Sequence, residues 1–208
     1  MPDEYRTPAR EGSHEIEVNR SRFLCTLAPA GTEEQARAVI DRVRRAHPDA
    51  THHCFAYVIG ADAQVQRSSD DGEPGGTAGA PMLQMLLRRD VRYVVAVVTR
   101  YYGGVKLGAG GLIRAYAGAV GQALDVLGTR TRRRCRLVKI TVDHQRAGRL
   151  QNELRAAGRE VRDVRYAEAV TLTVALPDAD VPAFGTWLAD ATAGSARFEL
   201  GDETYGDA

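Results

Sequence analysis

The chain has little lysine. Of its 28 basic residues only Lys106 and Lys139 are lysines. The rest are arginines, which suit bidentate phosphate contacts and equally fit an Ala/Arg/Gly-rich composition. The formal net charge is +1, so no global basic field announces a nucleic-acid partner. Cysteine is scarce as well: Cys25, Cys54 and Cys135 lie far apart and form no C-x-x-C pair. That excludes a disulfide framework and a zinc knuckle. No long apolar run exists. The most apolar strand-like stretch, Val94–Val98, is far too short to cross a bilayer. The opening MPDEYRTPAREGSHEIEV lacks the apolar h-region of a secretory signal. The expectation is a soluble, cytoplasmic protein with no membrane partner, in which the Asn19-Arg20-Ser21 sequon carries no meaning.

What is present is enough for a core. The 208 residues are 44% hydrophobic and 26% charged, which suits one large domain or two small ones. Residues 1–134 hold 19 Lys/Arg against 15 Asp/Glu, and residues 135–208 hold 9 against 12. The asymmetry is mild.

Residues 1–12 are polar, contain two prolines and are expected to fray. Glu15–Val18 and Arg22–Leu27 read as strands joined by a tight turn. Thr32 reads as a helix N-cap with Gln35 as its capping-box partner. Ala36, Val39, Ile40, Val43 and His47 follow at helical spacing, and Pro48 ends the run. Thr51–Ile59 and Gln64–Ser68 read as strands. Ser69–Ala80, SDDGEPGGTAGA, is a turn-rich loop, and a helix starting near Thr77 carries Met82, Met85 and Leu86. Tyr93–Thr99 is a β-branched central strand. Arg100–Gly111 is a second glycine-rich loop. Leu112, Ile113, Tyr116, Ala119, Val120, Ala123, Leu124 and Leu127 then trace an amphipathic helix that Gly128 ends. The basic stretch Thr129–Cys135 reads as a linker, which puts a domain boundary between residues 134 and 135. Beyond it, Leu137–Val142, Gln145–Ala157, Glu160–Tyr166, Ala169–Leu176, Val181–Ala191 and Ala196–Leu200 read as β-α-β-β-α-β, the ferredoxin-like split arrangement. The fold class is α+β.

Four stretches could carry chemistry. Tyr101–Gly111, YYGGVKLGAGG, leaves a buried strand and enters a helix, a placement that suits anion binding. It fails the P-loop pattern, because Ala109 and Gly110 stand where Lys and Ser/Thr belong, and it fails the dinucleotide fingerprint at Ile113. Its glycines equally allow positive φ and close packing. In Ser69–Gly76, the carboxylates of Asp70, Asp71 and Glu73 lack the alternation of a calcium loop; a solvated acidic turn and pairing with Arg100 or Arg114 are the competing readings. In Thr51–Cys54, strand alternation puts His52 and Cys54 on one face, about 6–7 Å apart at Cα, with no orienting third residue unless Asp70 or Asp71 supplies it; a small buried thiol is the plainer reading. Arg130–Arg136 is either a solvated linker or a sequence-blind phosphate strip. No cofactor and no metal is expected.

Ser21-Arg22-Phe23, HPDATHHCFAYVIG (47–60), SDDGEPGGTAGAPML (69–83) and VVTRYYGGVKLGAGGLIRAY (97–116) together resemble the YigZ/IMPACT family. The resemblance spans nearly the whole chain. It implies an N-terminal domain over 1–134 with the fold of the second domain of a small-subunit ribosomal protein, similar also to a domain of elongation factor G. It implies a ferredoxin-like domain over 135–208. Eukaryotic IMPACT members regulate translation by competing for the activator of a starvation-sensing kinase, so the resemblance points to translation and not to one activity. By motif position it marks Arg22, His52, Asp70, Asp71, Gly72, Glu73, Arg100, Tyr101, Gly103, Gly104, Leu107, Gly108, Gly110, Gly111 and Arg114.

Three functions follow as expectations. The first is a translation-associated regulator that binds RNA, the ribosome or translation factors through Arg22, His52, Asp71, Glu73, Arg100, Tyr101, Gly103, Gly104, Lys106, Gly108, Gly110, Gly111 and Arg114. The second is a hydrolase-type enzyme in which His52, Asp70, Asp71 and Glu73 converge on a cleft. The third is a protein-interaction regulator using an exposed apolar sheet face on Leu137–Val142 or Ala169–Leu176.

Overall fold

The computed structural model, which describes residues 2–207, begins with a short strand where the sequence reads a frayed tail. This strand, β1 (Glu4–Pro8), buries Tyr5 and Thr7. Arg6 exchanges backbone hydrogen bonds with Asp90 and Arg92 at 3.1 and 2.7 Å. A polar segment is ordered here by tertiary pairing, which local composition does not report.

The chain divides into two compact units, Met1–Thr131 and Arg132–Ala208. In the first, β2 (Gly12–Val18) and β3 (Ser21–Pro29) form a hairpin. Its two-residue turn puts Asn19 and Arg20 at φ +48° and +63°, the twist that suits paired antiparallel strands. Helix α1 (Glu33–Ala46) starts at Thr32, whose hydroxyl accepts from the Gln35 N–H, while the Gln35 side chain reaches back to the Gly31 N–H. Then come β4 (His52–Ile59), β5 (Val65–Ser69), α2 (Gly79–Arg88), β6 (Val94–Tyr101) and α3 (Gly108–Leu127). The sheet is antiparallel in the order β2-β3-β6-β4-β5.

Strand β6 lies in the middle and is covered on both faces, which is why its sequence is a continuous apolar run. Val94, Ala96 and Val98 join the core made with α2 and α3, around Met82, Leu86, Tyr116 and Val120. Val95 and Val97 pack against Val39, Ile40 and Val43 of α1. Two details depart from the sequence reading. Helix α3 begins at Gly108, so Gly108, Gly110 and Gly111 form its first turn and are not loop. Ile113, at 42% exposed, stands outside the core.

The second unit takes up β7 (Thr129–Val142) at Arg132 and continues through α4 (His144–Ala156), β8 (Val161–Tyr166), β9 (Val170–Leu176), a 3-10 turn over Asp178–Asp180, α5 (Val181–Thr192) and β10 (Arg197–Asp207). Its strands are antiparallel in the order β10-β7-β9-β8. Val138, Ile140, Leu172 and Val174 meet Leu150, Leu154, Phe184 and Leu188 in one core. By strand alternation the opposite face carries Lys139, Thr171, Thr173, Asp163 and Arg165. The expected apolar face is therefore polar.

The expected linker Thr129–Cys135 is strand. Arg132–Cys135 pair with a β10 that runs on to Asp207, past a register shift between Leu200 and Glu203. Arg132 bonds Asp207 at 2.9 Å, and Arg136 reaches Asp178 at 2.9 Å and Glu203 at 3.5 Å. A basic run becomes strand when the partner strand brings carboxylates opposite it.

Gly103 supplies a test of the packing. A Cβ there would fall 1.9 Å from the Arg20 carbonyl oxygen, whereas one at Gly75 meets nothing within 4 Å. Gly103→Ala should lower stability in urea by about 1–3 kcal/mol, and Gly75→Ala should change it by less than about 0.5 kcal/mol.

Candidate functional site

The end of β6 sorts its side chains by simple alternation. Arg100 points to the α2/α3 face and Tyr101 to the α1 face. Arg100 donates from Nη1 to Glu73 Oε1 at 2.6 Å and from Nη2 to Ser21 Oγ at 3.3 Å. The Tyr116 hydroxyl donates to the same Glu73 oxygen at 2.7 Å. The guanidinium carbon lies 5.3 Å from the Phe23 ring centre and 5.4 Å from that of Tyr102. Glu73 and Arg100 are 9% and 5% exposed, so each charge depends on the other to remain buried. Burial, reinforced by Cys54 and Glu73, holds the Tyr116 phenol far above its ordinary value, so it serves as a donor.

Tyr101, on the other face, bonds His47 Nδ1 at 2.8 Å. Arg22 lies over the Tyr101 ring at 5.0 Å and grips Glu15 with two bonds of 3.0 and 2.8 Å. Arg22 and Tyr101 thus do not join Arg100.

The acidic loop sends its three carboxylates in three directions. Asp70 accepts from the backbone N–H groups of Gly76, Ala78 and Gly79 at 2.8, 3.0 and 2.8 Å. It caps α2, whose own N-cap residue Ala78 offers no side-chain oxygen. Asp71, at φ +44°, accepts from Arg44 at 2.9 Å and from the His53 N–H at 2.7 Å. Glu73 alone turns inward. Of the four residues expected to converge on a cleft, His52 and Glu73 share a cavity, while Asp70 and Asp71 hold loops and helices in place.

His52 donates from Nδ1 to the Asp71 carbonyl oxygen at 2.9 Å, leaving Nε2 3.9 Å from Glu73 Oε2. A carbonyl accepts only, so Nδ1 carries the proton. Cys54 donates to the Asp70 carbonyl oxygen at 2.9 Å. Burial pushes its thiol up to about 12, which removes the thiolate that a nucleophile needs. Among the described residues no three His, Cys, Asp or Glu side chains are grouped to hold a metal ion.

The cavity measures about 520 Å³, a size typical of small-ligand sites. Thr51, His52, Glu73 and Arg100 form one side; Pro74, Tyr102, Leu107 and Leu112 are its other walls; Lys106, Gly108 and Ala109 stand at the start of α3. No side chain caps α3, and no acid lies in its first turn. Gly104 and Gly108 have φ +83° and +69°, which side-chain-bearing residues rarely adopt; with Gly103 against Arg20 they bring the loop into the cavity wall. A Cβ at Gly110 would lie 3.6 Å from the Arg114 guanidinium. Lys106 and Arg114 are exposed, with no ion-pair partner among the described residues.

Four participants lie outside the expected binding residues. Ser21 reads as part of a turn, Thr51 as the first residue of a strand, Tyr102 as part of a glycine-rich segment, and Tyr116 carries the spacing of an ordinary core residue. A second cavity, of about 450 Å³, lies within the second unit, where Arg133, Arg159 and Arg162 share the walls with Glu160, Asp180 and Asp207. Equal numbers of opposite charges leave it without a cationic bias.

Comparison with known proteins places the chain among relatives. Residues 19–124 match the Impact N-terminal domain, and residues 140–195 match a domain of unknown function (DUF1949). IMPACT family member YvyE of Bacillus subtilis is 40% identical over 99% of this chain and 94% of its own length. IMPACT family member YigZ of Escherichia coli is 45% identical over 87% of this chain and 90% of its own. Protein IMPACT of Oryctolagus cuniculus is 37% identical over 45% of this chain and 30% of its own. A solved structure described as a hypothetical protein superposes with a TM-score of 0.69 at 38% identity, covering 97% of this chain and 99% of that one.

Two outcomes test this geometry. Glu73→Leu should destabilise the protein by about 3–5 kcal/mol by leaving Arg100 unpaired, and adding Arg100→Met should recover most of that loss. Asp70 is partly buried, which raises its pKa, but three backbone N–H groups outweigh the burial and lower it. Its contribution is therefore complete above the ordinary value of 3.8 and is lost as pH falls through the lower folded value. Asp70→Asn should cost about 1 kcal/mol at neutral pH and flatten the acid limb of a stability-versus-pH curve.

Proposed function

This chain belongs to the IMPACT family, and on that premise we propose that it is a translation-associated binding protein whose first unit contacts RNA through the cavity at the start of α3 and its rim. The observation that carries the reading is the uncapped α3 N-terminus flanked by Lys106 and Arg114, a positive end of a helix dipole beside two side chains free to meet phosphates. Tyr102, at 46% exposed, adds a ring on which a base can stack. The translation role that resemblance implies for eukaryotic IMPACT members fits this, and so do the readings of the first unit as like a ribosomal-protein domain and of the second as ferredoxin-like. A cytoplasmic location goes with the reading. No helix among the described residues is long and apolar enough to cross a membrane.

The enzyme reading has less behind it. His52 and Glu73 line the cavity, but Glu73 already holds Arg100 and Tyr116, and burial keeps the Cys54 thiol protonated. The protein-interaction reading lacks its apolar sheet face in the second unit, where Lys139, Thr171 and Thr173 lie instead.

RNA affinity should therefore fall with salt. For single-stranded RNA, removing one phosphate contact lowers the slope of log K against log salt by about 0.7. Lys106→Ala and Arg114→Ala should each weaken fluorescently labelled RNA in anisotropy titrations and reduce the slope by that amount. Absence of binding at low salt would remove the proposal.

A further inference from the structure

The cavity beside Arg100 holds two hydrogen-bond acceptors that no described residue satisfies. Glu73 is more than nine-tenths buried. Its Oε1 accepts from both Arg100 and Tyr116, and its Oε2 accepts from neither. His52 Nε2 lies 3.9 Å from that Oε2, beyond hydrogen-bond range. With Nδ1 bonded to the Asp71 carbonyl oxygen, the neutral ring presents a lone pair at Nε2. Both residues line the cavity. Neither free atom is sealed from it, whereas the unmatched Arg100 Nε is.

We propose that the cavity takes an unstacked guanine base, whose N1–H and N2–H groups donate to Glu73 Oε2 and His52 Nε2. The assignment rests on the RNA reading of this face and names the base it selects. Two acceptors set side by side call for two donors set side by side. Guanine alone among the RNA bases offers that pair on its Watson–Crick edge. Adenine and cytosine have one amino group beside a ring acceptor, and uracil has one N–H between two carbonyls. A base of the wrong pattern leaves a buried acceptor unpaired, and that omission is what lowers affinity.

The rest of the lining suits a flat neutral ring. Pro74, Leu107 and Leu112 are apolar walls. Tyr102 packs on the Arg100 guanidinium at 5.4 Å and is 46% exposed, which leaves ring surface for stacking. A guanidinium or ammonium from a protein partner also offers clustered donors. Charge opposes it: the lining holds one carboxylate, Glu73, against two cations, Arg100 and Lys106. A neutral base avoids that repulsion, and Lys106 is left to meet the phosphate of the attached chain.

The full chain is titrated at low salt with labelled oligouridylates, followed by anisotropy. Their central residue is guanosine, inosine, adenosine, cytidine or uridine. Inosine keeps N1–H and lacks the 2-amino group. The guanosine strand should bind about tenfold tighter than the adenosine, cytidine and uridine strands, and inosine should lose most of that gain. His52→Leu removes one acceptor and should remove most of the guanosine preference, with melting temperature measured alongside. The inosine comparison uses the unaltered protein, so it decides the matter even where that variant unfolds. Calorimetry with guanosine and with N-acetylarginine amide separates a free base from a strand and from a protein side chain. Guanosine binding by itself shows that the base suffices; its failure beside a guanosine-preferring strand shows that the chain must hold the base in place, and both results support the pocket. Guanosine binding without RNA binding keeps the pocket and removes the RNA reading. Binding of the arginine amide in place of guanosine overturns the assignment. Equal affinity for all five strands, or a preference for another base, overturns it and leaves the RNA reading standing. No binding of any probe overturns both.

Discussion

The Arg100–Glu73 pair is the constraint from which the first unit's functional end is built. Two opposite charges are placed below the surface, and neither can stay there without the other. Glu73 must therefore reach inward from a loop that would otherwise be solvated, and Arg100 must sit at the last inward position of β6. Tyr116 and Ser21 complete the arrangement by bonding to one partner each. The pair thus ties together a loop, the central strand, the β2–β3 hairpin and α3, and it fixes one wall of the cavity.

That tie explains why the rest of the acidic loop has such ordered tasks. With Glu73 held inward, Asp70 falls under α2 and satisfies three N–H groups there. Asp71 turns outward to Arg44, and its carbonyl sets the orientation of His52. One short segment consequently serves both faces of the sheet. A cleft of cooperating carboxylates would have needed all three on one side, with each raising the others' pKa.

The same geometry sets what the site is able to attract. Helix α3 is left uncapped where α2 is capped by Asp70, and the nearest free cations are Lys106 and Arg114. Arg22, a cation from the same motif set, is held by Glu15 on the opposite face. Overall charge says little about this: at +1 the chain is close to neutral, and the bias is local to one end of one unit.

Most of the elements are readable in the sequence by itself, because periodicity and turn chemistry are local. The alternation and runs in β4 and β6, the Thr32 cap, the Asn19-Arg20 turn and the α3 core face are all legible in it, and the long glycine-bearing motifs mark both loops of the candidate site. Tertiary structure decided which marked residues meet. Arg100 and Tyr101 are neighbours in sequence, yet the pleat sends them to opposite faces. Asp70 and Glu73 are three residues apart, yet one caps a helix while the other pairs in the core. Partnership also ordered what composition left as tail and linker: β1 by its bonds to Asp90 and Arg92, and the start of β7 by the carboxylates that β10 sets opposite it. Pairing of this kind depends on segments distant in the chain, and no local pattern carries that information.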